Sequence, residues 1–280
     1  GIRPEIPIIT ENGYLSNGLV LTIDIHNGVP VGAINGLFSV SATKKVYFSK
    51  GNLQFIGSES PHYWKFADNQ WEYFGDYGND SNLENADRDL FGWGTSGFNH
   101  GAVCYQPWSM NRNSDYYYAY GESTYNLYDQ TGQADWGYNA ISNGGSVANQ
   151  WRTLTVQEWR FLLNTRNTVS GIRYAKAAVN NVNGVILLPD DWDGSFSFSN
   201  SYSQNISLST WNSVFETQGA VFLPAAGYRS SSGGSYGADG YYWSSSVYTT
   251  SGSYCFYFNY SNFNPNASYN KNYRLSHPKS

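Results

Sequence analysis

Gln150-Trp151-Arg152-Thr153-Leu154-Thr155-Val156-Gln157-Glu158-Trp159-Arg160-Phe161-Leu162-Leu163 is the stretch on which the fold class turns. Thr155 followed three residues later by Glu158 has the spacing of a capping box, in which the Thr hydroxyl and the Glu carboxylate satisfy the first free amides of a helix. Trp159, Leu162 and Leu163 then recur at i, i+3 and i+4, one apolar face of a 3.6-residue period. This predicts one helix, with Trp151 and Trp159 in the core. A shorter helix is expected over Thr210–Glu216.

Away from these stretches the signals are those of strands and turns. Phe38–Val40, Lys45–Phe48, Val185–Leu188, Ala220–Leu223, Tyr241–Ser245 and Tyr254–Tyr260 read as short strands, and Leu19–Ile25 as an edge strand. Residues 60–150 interleave aromatics with Gly, Asn and Asp, as in Leu90-Phe91-Gly92-Trp93-Gly94, a pattern that predicts long ordered loops with the rings turned inward. The fold class is therefore α+β: loop-rich, with one well-signalled helix and a small antiparallel sheet. Residues 1–36, with Pro4, Pro7 and Pro30, read as a tether or edge strand leading into a domain over residues 37–280.

Composition narrows the function classes. Charged residues make up 13% of the 280-residue chain, about half the usual share, while aromatics reach 18%, which argues against disorder. The net charge of −5 and the lack of a Lys/Arg block argue against nucleic acid as a partner. No apolar run approaches the roughly 20 residues of a membrane helix, so membrane insertion is not expected. The balance of low charge with abundant Tyr, Trp, Asn, Ser and Gly is that of exported, cell-surface β-rich proteins. The opening Gly1-Ile2-Arg3-Pro4 is not a leader, so the expectation is a mature extracellular chain, with a lipid anchor upstream as one mode of attachment. Cys104 and Cys255 are too few for a disulfide scaffold. A buried strand thiol at Cys255 is the favoured reading, beside a single long-range disulfide.

No reactive constellation stands out. His26, His62, His100 and His277 are scattered, none in a nucleophile-elbow or metalloprotease context, and His100 reads as a loop hydrogen-bonder. Asp190, Asp191 and Asp193, in Asp190-Asp191-Trp192-Asp193-Gly194, form a candidate calcium turn. The favoured alternative is a solvated turn using Asx hydrogen bonds, and no cofactor is expected. Trp64, Trp71, Trp93, Trp108 and Trp136 are either sugar-stacking platforms or core, with core favoured for most. The oddest stretch is Arg229–Tyr273, where eleven Ser, nine Tyr and six Asn accompany three charged residues, Arg229, Asp239 and Lys271. That is the chemistry of an antibody paratope, in which Tyr gives rigid contact area and Ser, Gly and Asn give adaptable hydrogen bonding. An exposed recognition surface is the expectation.

Several motifs carry a family resemblance. Gly36-Leu37-Phe38-Ser39-Val40-Ser41, Val46–Gln54, Asp89–Gly97, Gln150–Thr155 with Glu158-Trp159, Leu223-Pro224-Ala225-Ala226-Gly227-Tyr228-Arg229 and Tyr242-Trp243-Ser244-Ser245 occur in this order. Together they resemble a large group of surface proteins of gut Bacteroidetes, similar to the C-type-lectin-like fold in the version shared with formylglycine-generating enzymes. The resemblance covers roughly residues 36–276. It extends to the variable proteins of diversity-generating retroelements, whose C-terminal region is rewritten at adenines and binds ligand. It implies a variable region at 229–273 with ligand-binding candidates Ser230, Ser232, Tyr236, Asp239, Tyr241, Tyr248, Tyr254, Tyr257, Asn259, Tyr260, Asn262, Asn264, Asn266, Tyr269, Asn270 and Asn272. Trp243, Ser244 and Ser245 would be fixed scaffold. The end of the chain, Tyr273-Arg274-Leu275-Ser276-His277-Pro278, departs from the Gly-Phe-Ser-Val-Arg type of ending. The enzyme's late cysteine pair is missing, which argues against catalysis. The implied function is adhesion or recognition of a protein or glycan ligand at a cell or phage surface, with a fixed-specificity carbohydrate-binding adhesin as the alternative. Truncating Tyr241, Tyr257 or Tyr260 is expected to leave the fold intact.

Overall fold

The computed structural model describes residues 25, 26, 28–75, 83–98, 103–109, 125–129, 132–194, 196–230 and 232–277. Most of the expected Leu19–Ile25 strand, and His100, lie outside them.

The capping box forms as its spacing dictates. Thr155 Oγ1 accepts from the Glu158 amide at 3.1 Å and a Glu158 carboxylate oxygen accepts from the Thr155 amide at 2.9 Å. Arg152 donates to both Glu158 oxygens at 2.7 and 2.8 Å. Burial alone would raise the Glu158 pKa, but Arg152, the Thr155 amide and Lys44 hold it below the ordinary carboxylate value. The helix α1 (Val156–Arg160) passes directly into a π turn, Phe161–Thr165. The second expected helix is likewise brief: α2 (Leu208–Thr210), a π turn over Trp211–Phe215, and a 3-10 turn ended by Gly219 at φ 82°.

The rest is strand and loop, so the architecture is mixed α+β, loop-rich, with small sheets. Paired ribbons are built by β1 (Ile25–His26) with β2 (Val29–Pro30), β3 (Phe38–Ser39) with β4 (Lys45–Val46), and β5 (Leu53–Ile56) with β6 (Tyr63–Phe66). A four-stranded sheet follows, from β7 (Tyr174–Val179), β8 (Val182–Leu187), β9 (Asn205–Ile206) and β10 (Val221–Pro224), in the order β10-β8-β7-β9 with β9 parallel to β7. After a short β11–β12 ribbon (Tyr228–Ser230 with Gly233–Ser235), an antiparallel sheet of β13 (Gly240–Val247), β14 (Gly252–Phe258) and β15 (Phe263–Asn270) completes the fold.

Alternation along β13 explains how this last sheet is held. Tyr242 points into a core shared with Trp159, Leu162, Phe38 and Phe256, and Trp243 into a second core with Phe91, Trp64 and Trp136. Trp159 meets Phe256 at 5.2 Å, and the Ser246 hydroxyl accepts from the Val156 amide at 3.1 Å, pinning α1 to β13. The outer edge of β13 is covered by the chain end: Trp243 N donates to Ser276 O and Ser276 N to Tyr241 O. That fixes the register of the atypical terminus through a parallel bridge between Tyr242 and Ser276. A third apolar cluster lies behind β7 and β8, where Phe215 is sandwiched between Trp192 at 5.3 Å and Trp211 at 5.5 Å.

Residues 33–36 are stitched into the domain. Ile34 is buried in the first core and its amide donates to Phe48 O. Gly36 passes so close to Gly219 that a Cβ would sit 2.2 Å from its carbonyl oxygen, which admits only glycine there. Trp64, Trp93, Trp136, Trp151 and Trp159 are buried, and Trp71 and Trp108 are half-buried. The aromatics of residues 60–150 that the structure describes serve the core in the main, as their Gly- and Asn-punctuated setting predicted. Cys104 and Cys255 are both free, and burial pushes the Cys255 thiol pKa up.

Candidate functional site

The 229–273 region separates into buried and presented residues. Trp243, Ser244 and Ser245 are buried. Tyr260 is 77% exposed and Tyr248 51%, and Ser232, Asn262, Asn264, Asn266 and Asn270 are exposed. Tyr236, Asp239, Tyr254, Tyr257, Asn259, Tyr269 and Asn272 are half-buried.

Two expected site residues are corrected to interior positions. Ser230 is buried and its hydroxyl is turned into the β11–β12 ribbon, donating to Gly233 O at 2.9 Å. Tyr241 is 5% exposed, because its register opposite Tyr257 on the two-faced β13 places it beneath its neighbours. Asn259 is half-buried but fully engaged. Its Nδ2 donates to Asp239 at 3.0 Å and to the Tyr257 hydroxyl, and its Oδ1 accepts from the amides of Ser261 and Asn262 at 3.0 and 2.7 Å. It holds the β14–β15 turn in an Asx arrangement.

Tyrosine rings gather on one face of the sheet. Tyr241 stacks on Tyr257 at 4.7 Å and meets Tyr269 edge-on at 4.8 Å, and the Tyr269 hydroxyl donates to that of Tyr241 at 3.3 Å. Tyr228 and Tyr273, which lay outside the expected set, stack at 5.8 Å and adjoin Tyr241 and Tyr269. Tyr202 reaches the same region from far earlier in the chain, and its buried hydroxyl has no hydrogen-bond partner among the described residues. Burial, with the nearby Asp239 carboxylate, pushes the pKa values of Tyr202, Tyr241 and Tyr257 upward, so their hydroxyls remain protonated donors at neutral pH.

A bulge redistributes side chains along the β15 edge. Cys255 faces Ala267 but Tyr257 faces Asn264, so Pro265 and Asn266 stand where one residue would pair. Asn264 therefore shares the face of Tyr257, whereas Ser268 and Asn270 share that of Tyr254. Tyr254 meets Tyr248 at 4.9 Å. Next to them Tyr248, Ser268, Tyr269, Asn270 and Tyr273 line a shallow cavity of about 230 Å³. The structure thus brings Tyr248, Tyr269 and Asn270 to one cavity and joins Asp239, Tyr241, Tyr257 and Asn259 by contact. Tyr260 and Asn262 stand at the β14–β15 turn, and Ser232 and Tyr236 on the β11–β12 ribbon, where a Cβ on Gly234 would lie 2.5 Å from the Tyr236 hydroxyl. Between Asn270 and Asn272, Lys271 turns inward. Its Nζ donates to Thr250 O at 3.0 Å, lies 4.8 Å over the Trp93 ring, and is drawn by burial to a pKa of about 8.

Asp190 is the centre of an ion-pair and hydrogen-bond hub. Its Oδ1 accepts from Arg166 at 3.0 Å and its Oδ2 from the Ser39 hydroxyl at 2.6 Å, with Lys45 at 3.2 Å. Arg166, whose side chain is 0% exposed, also donates to Leu162, Arg173 and Leu188 carbonyls. Burial would raise the Asp190 pKa, but Ser39, Arg166 and Lys45 hold it below the ordinary carboxylate value. Both oxygens are committed, and Asp191 and Asp193 are exposed without joining them. Among the described residues no three His, Cys, Asp or Glu side chains gather as a metal-holding group, and no helix is long and apolar enough to cross a membrane.

No protein-family model matches the chain, and no curated protein or solved structure gives a match.

Proposed function

We propose that this chain is a surface-displayed, non-catalytic binding protein of C-type-lectin-like fold, in the version shared with formylglycine-generating enzymes. Its Tyr/Ser/Asn region over residues 229–273, diversified by a retroelement, recognises a protein or glycan ligand outside the cell. The observation that carries this reading is the division within β13–β15: Trp243, Ser244 and Ser245 are buried, while Tyr248, Tyr260, Asn262, Asn264, Asn266 and Asn270 are presented to solvent.

Recognition by such a face needs no moving part. Tyr248 and Tyr260 supply large amphipathic contact area, and the asparagines supply donors and acceptors that adapt to different partners. The half-buried Tyr257, Tyr269 and Tyr273 give a packed aromatic base from which a hot spot is built. The backbone beneath is held by strand pairing and by the Ser276 and Ser246 contacts described above, so side chains on the exposed positions vary without moving it.

The test is to sequence the DNA flanking the gene for a near-copy of the Arg229–Tyr273 coding stretch that differs from it only where the copy carries adenine. The expected result is such a copy beside a reverse transcriptase, with its adenines falling in the codons of the presented Tyr, Asn and Ser residues. A near-copy whose adenines fall in the codons of Trp243, Ser244 and Ser245, or none at all, rejects diversification.

A further inference from the structure

A second, chemically distinct groove lies on the β5–β6 ribbon. Leu53, Phe55, Trp64 and Phe66 point into the second core, so alternation turns Gln54, Ile56, Tyr63 and Lys65 to the opposite side. There they floor a groove of about 450 Å³, within the size range of small-ligand and side-chain sites.

Its rim is strongly acidic. Glu59, Asp68, Glu72 and Asp87 line it against one cation, Lys65, which is already paired with Asp68 at 3.0 Å. Glu72 is bonded to Asn69, and Asp87 accepts from the Ser58 amide at 2.9 Å. The exposed Glu59 carboxylate makes no hydrogen bond among the described residues. The aromatic walls are Tyr63, 39% exposed, and the half-buried Tyr73 and Phe74.

The floor carries the independent clue. Gln54 is 5% exposed, yet its carboxamide has no hydrogen-bond partner among the described residues. Its polar atoms are not sealed in the interior but open onto the groove they line, so an acceptor and two donors stand ready at the base of an acidic, aromatic-walled groove.

We infer that this groove binds a guanidinium group, an arginine side chain presented by a peptide or protein partner. The planar guanidinium pairs with carboxylates through a fork of N–H donors, stacks on tyrosine, and has a further N–H for the Gln54 carbonyl. A compact ammonium does not stack in this way. A neutral sugar gains little from a rim that carries four carboxylates against one lysine. The site uses none of the residues of the 229–273 face, so it stands or falls separately from the proposal above.

The experiment titrates the full chain with an acetylated, amidated Gly-Arg-Gly peptide and with its citrulline counterpart, which keeps the shape and removes the charge. Calorimetry or NMR reads the binding at low and high salt. The arginine peptide is expected to bind, more weakly in high salt, with citrulline down about tenfold or more. Glu59→Gln should weaken the arginine peptide several-fold. Gln54→Leu should weaken it about tenfold while leaving Tm unchanged or higher, since the amide it removes bonds to no other described residue. Equal binding of the two peptides, binding of neither, or displacement of the arginine peptide by a neutral oligosaccharide overturns the inference. A Tm lowered by Gln54→Leu shows that the amide serves the fold and also counts against it. Glu59→Gln, at an exposed position, then remains a clean variant, and unchanged arginine binding in it overturns the site.

Discussion

Replacing Asp190 by asparagine separates an internal ion-pair hub from a calcium ligand. The substitution keeps the shape and one acceptor for Ser39 but removes the charge opposite Arg166, whose side chain is 0% exposed. Breaking a buried pair by removing one partner costs about 3–5 kcal/mol, because the remaining charge is left in a poorly solvated place. Asp190 itself is 14% exposed and Lys45 contributes from the surface, so the lower end, about 3 kcal/mol, is expected. The assay is equilibrium urea unfolding of wild type and Asp190→Asn, each with added calcium and with chelator. The loss should be the same in both solutions, and wild type should be indifferent to the chelator. The pH trend provides a second check. A carboxylate whose folded pKa is depressed contributes stability that is complete above its unfolded pKa, near 4, and is lost as pH falls through the folded value. Wild type should lose that increment below about pH 4 and Asp190→Asn should lack it. A chelator that destabilises wild type as much as the substitution does, or a cost under about 1 kcal/mol, would refute the hub.

Tyr241→Ala should cost about 3–5 kcal/mol in urea unfolding, as for other large buried aromatics, whereas Tyr260→Ala, at a 77% exposed position, should fall within about 0.5 kcal/mol of wild type. A reversed order would mean that the register of β13 is wrong. Lys271 yields a rise of stability with pH. Its pKa is about 8 in the folded chain against the ordinary 10.5, so between those values the unfolded chain holds the proton and the folded chain does not. The gain is at most about 3 kcal/mol across the window, and the raised pKa of Tyr241 opposes it above about pH 10. Lys271→Met should abolish the rise, and parallel urea-midpoint curves for the two proteins between pH 8 and 10 would reject the assignment.

The parts of the fold written in local pattern were the legible ones. Thr155 and Glu158 announced α1, and the aromatic runs at Tyr241–Ser245 and Tyr254–Tyr260 announced two strands of the terminal sheet. What pairing imposes was hidden. Tyr174–Val179 carries three alanines and a lysine, poor strand formers, and becomes extended because β8 and β9 flank it. Phe263–Asn270 was obscured by Pro265 and by asparagines, which a bulged edge strand tolerates. The candidate site was legible in composition but not in burial. Ser230 and Tyr241 differ little from their presented neighbours in residue type, and only register separates them. Tyr202 comes to the face from the connection between β8 and β9, and no local signal in the chain marks it. Tyr228 and Tyr273 could have been found, since both sit at the boundaries of the Tyr-rich stretch.

The bulge at Pro265–Asn266 has a consequence for how substitutions combine. Among the described residues the side-chain amides of Asn266 and Asn270 make no hydrogen bond, whereas Tyr241, Tyr257 and Tyr269 share rings and hydroxyls. Changes at separated positions with no common partner are close to additive, and those in mutual contact are not. Epistasis should therefore be weak in the first set and strong in the second. Alleles at the edge asparagines would combine freely, and those in the tyrosine cluster would be inherited as blocks. A population randomised only along the edge would stay folded member by member, leaving selection to act on what each copy binds.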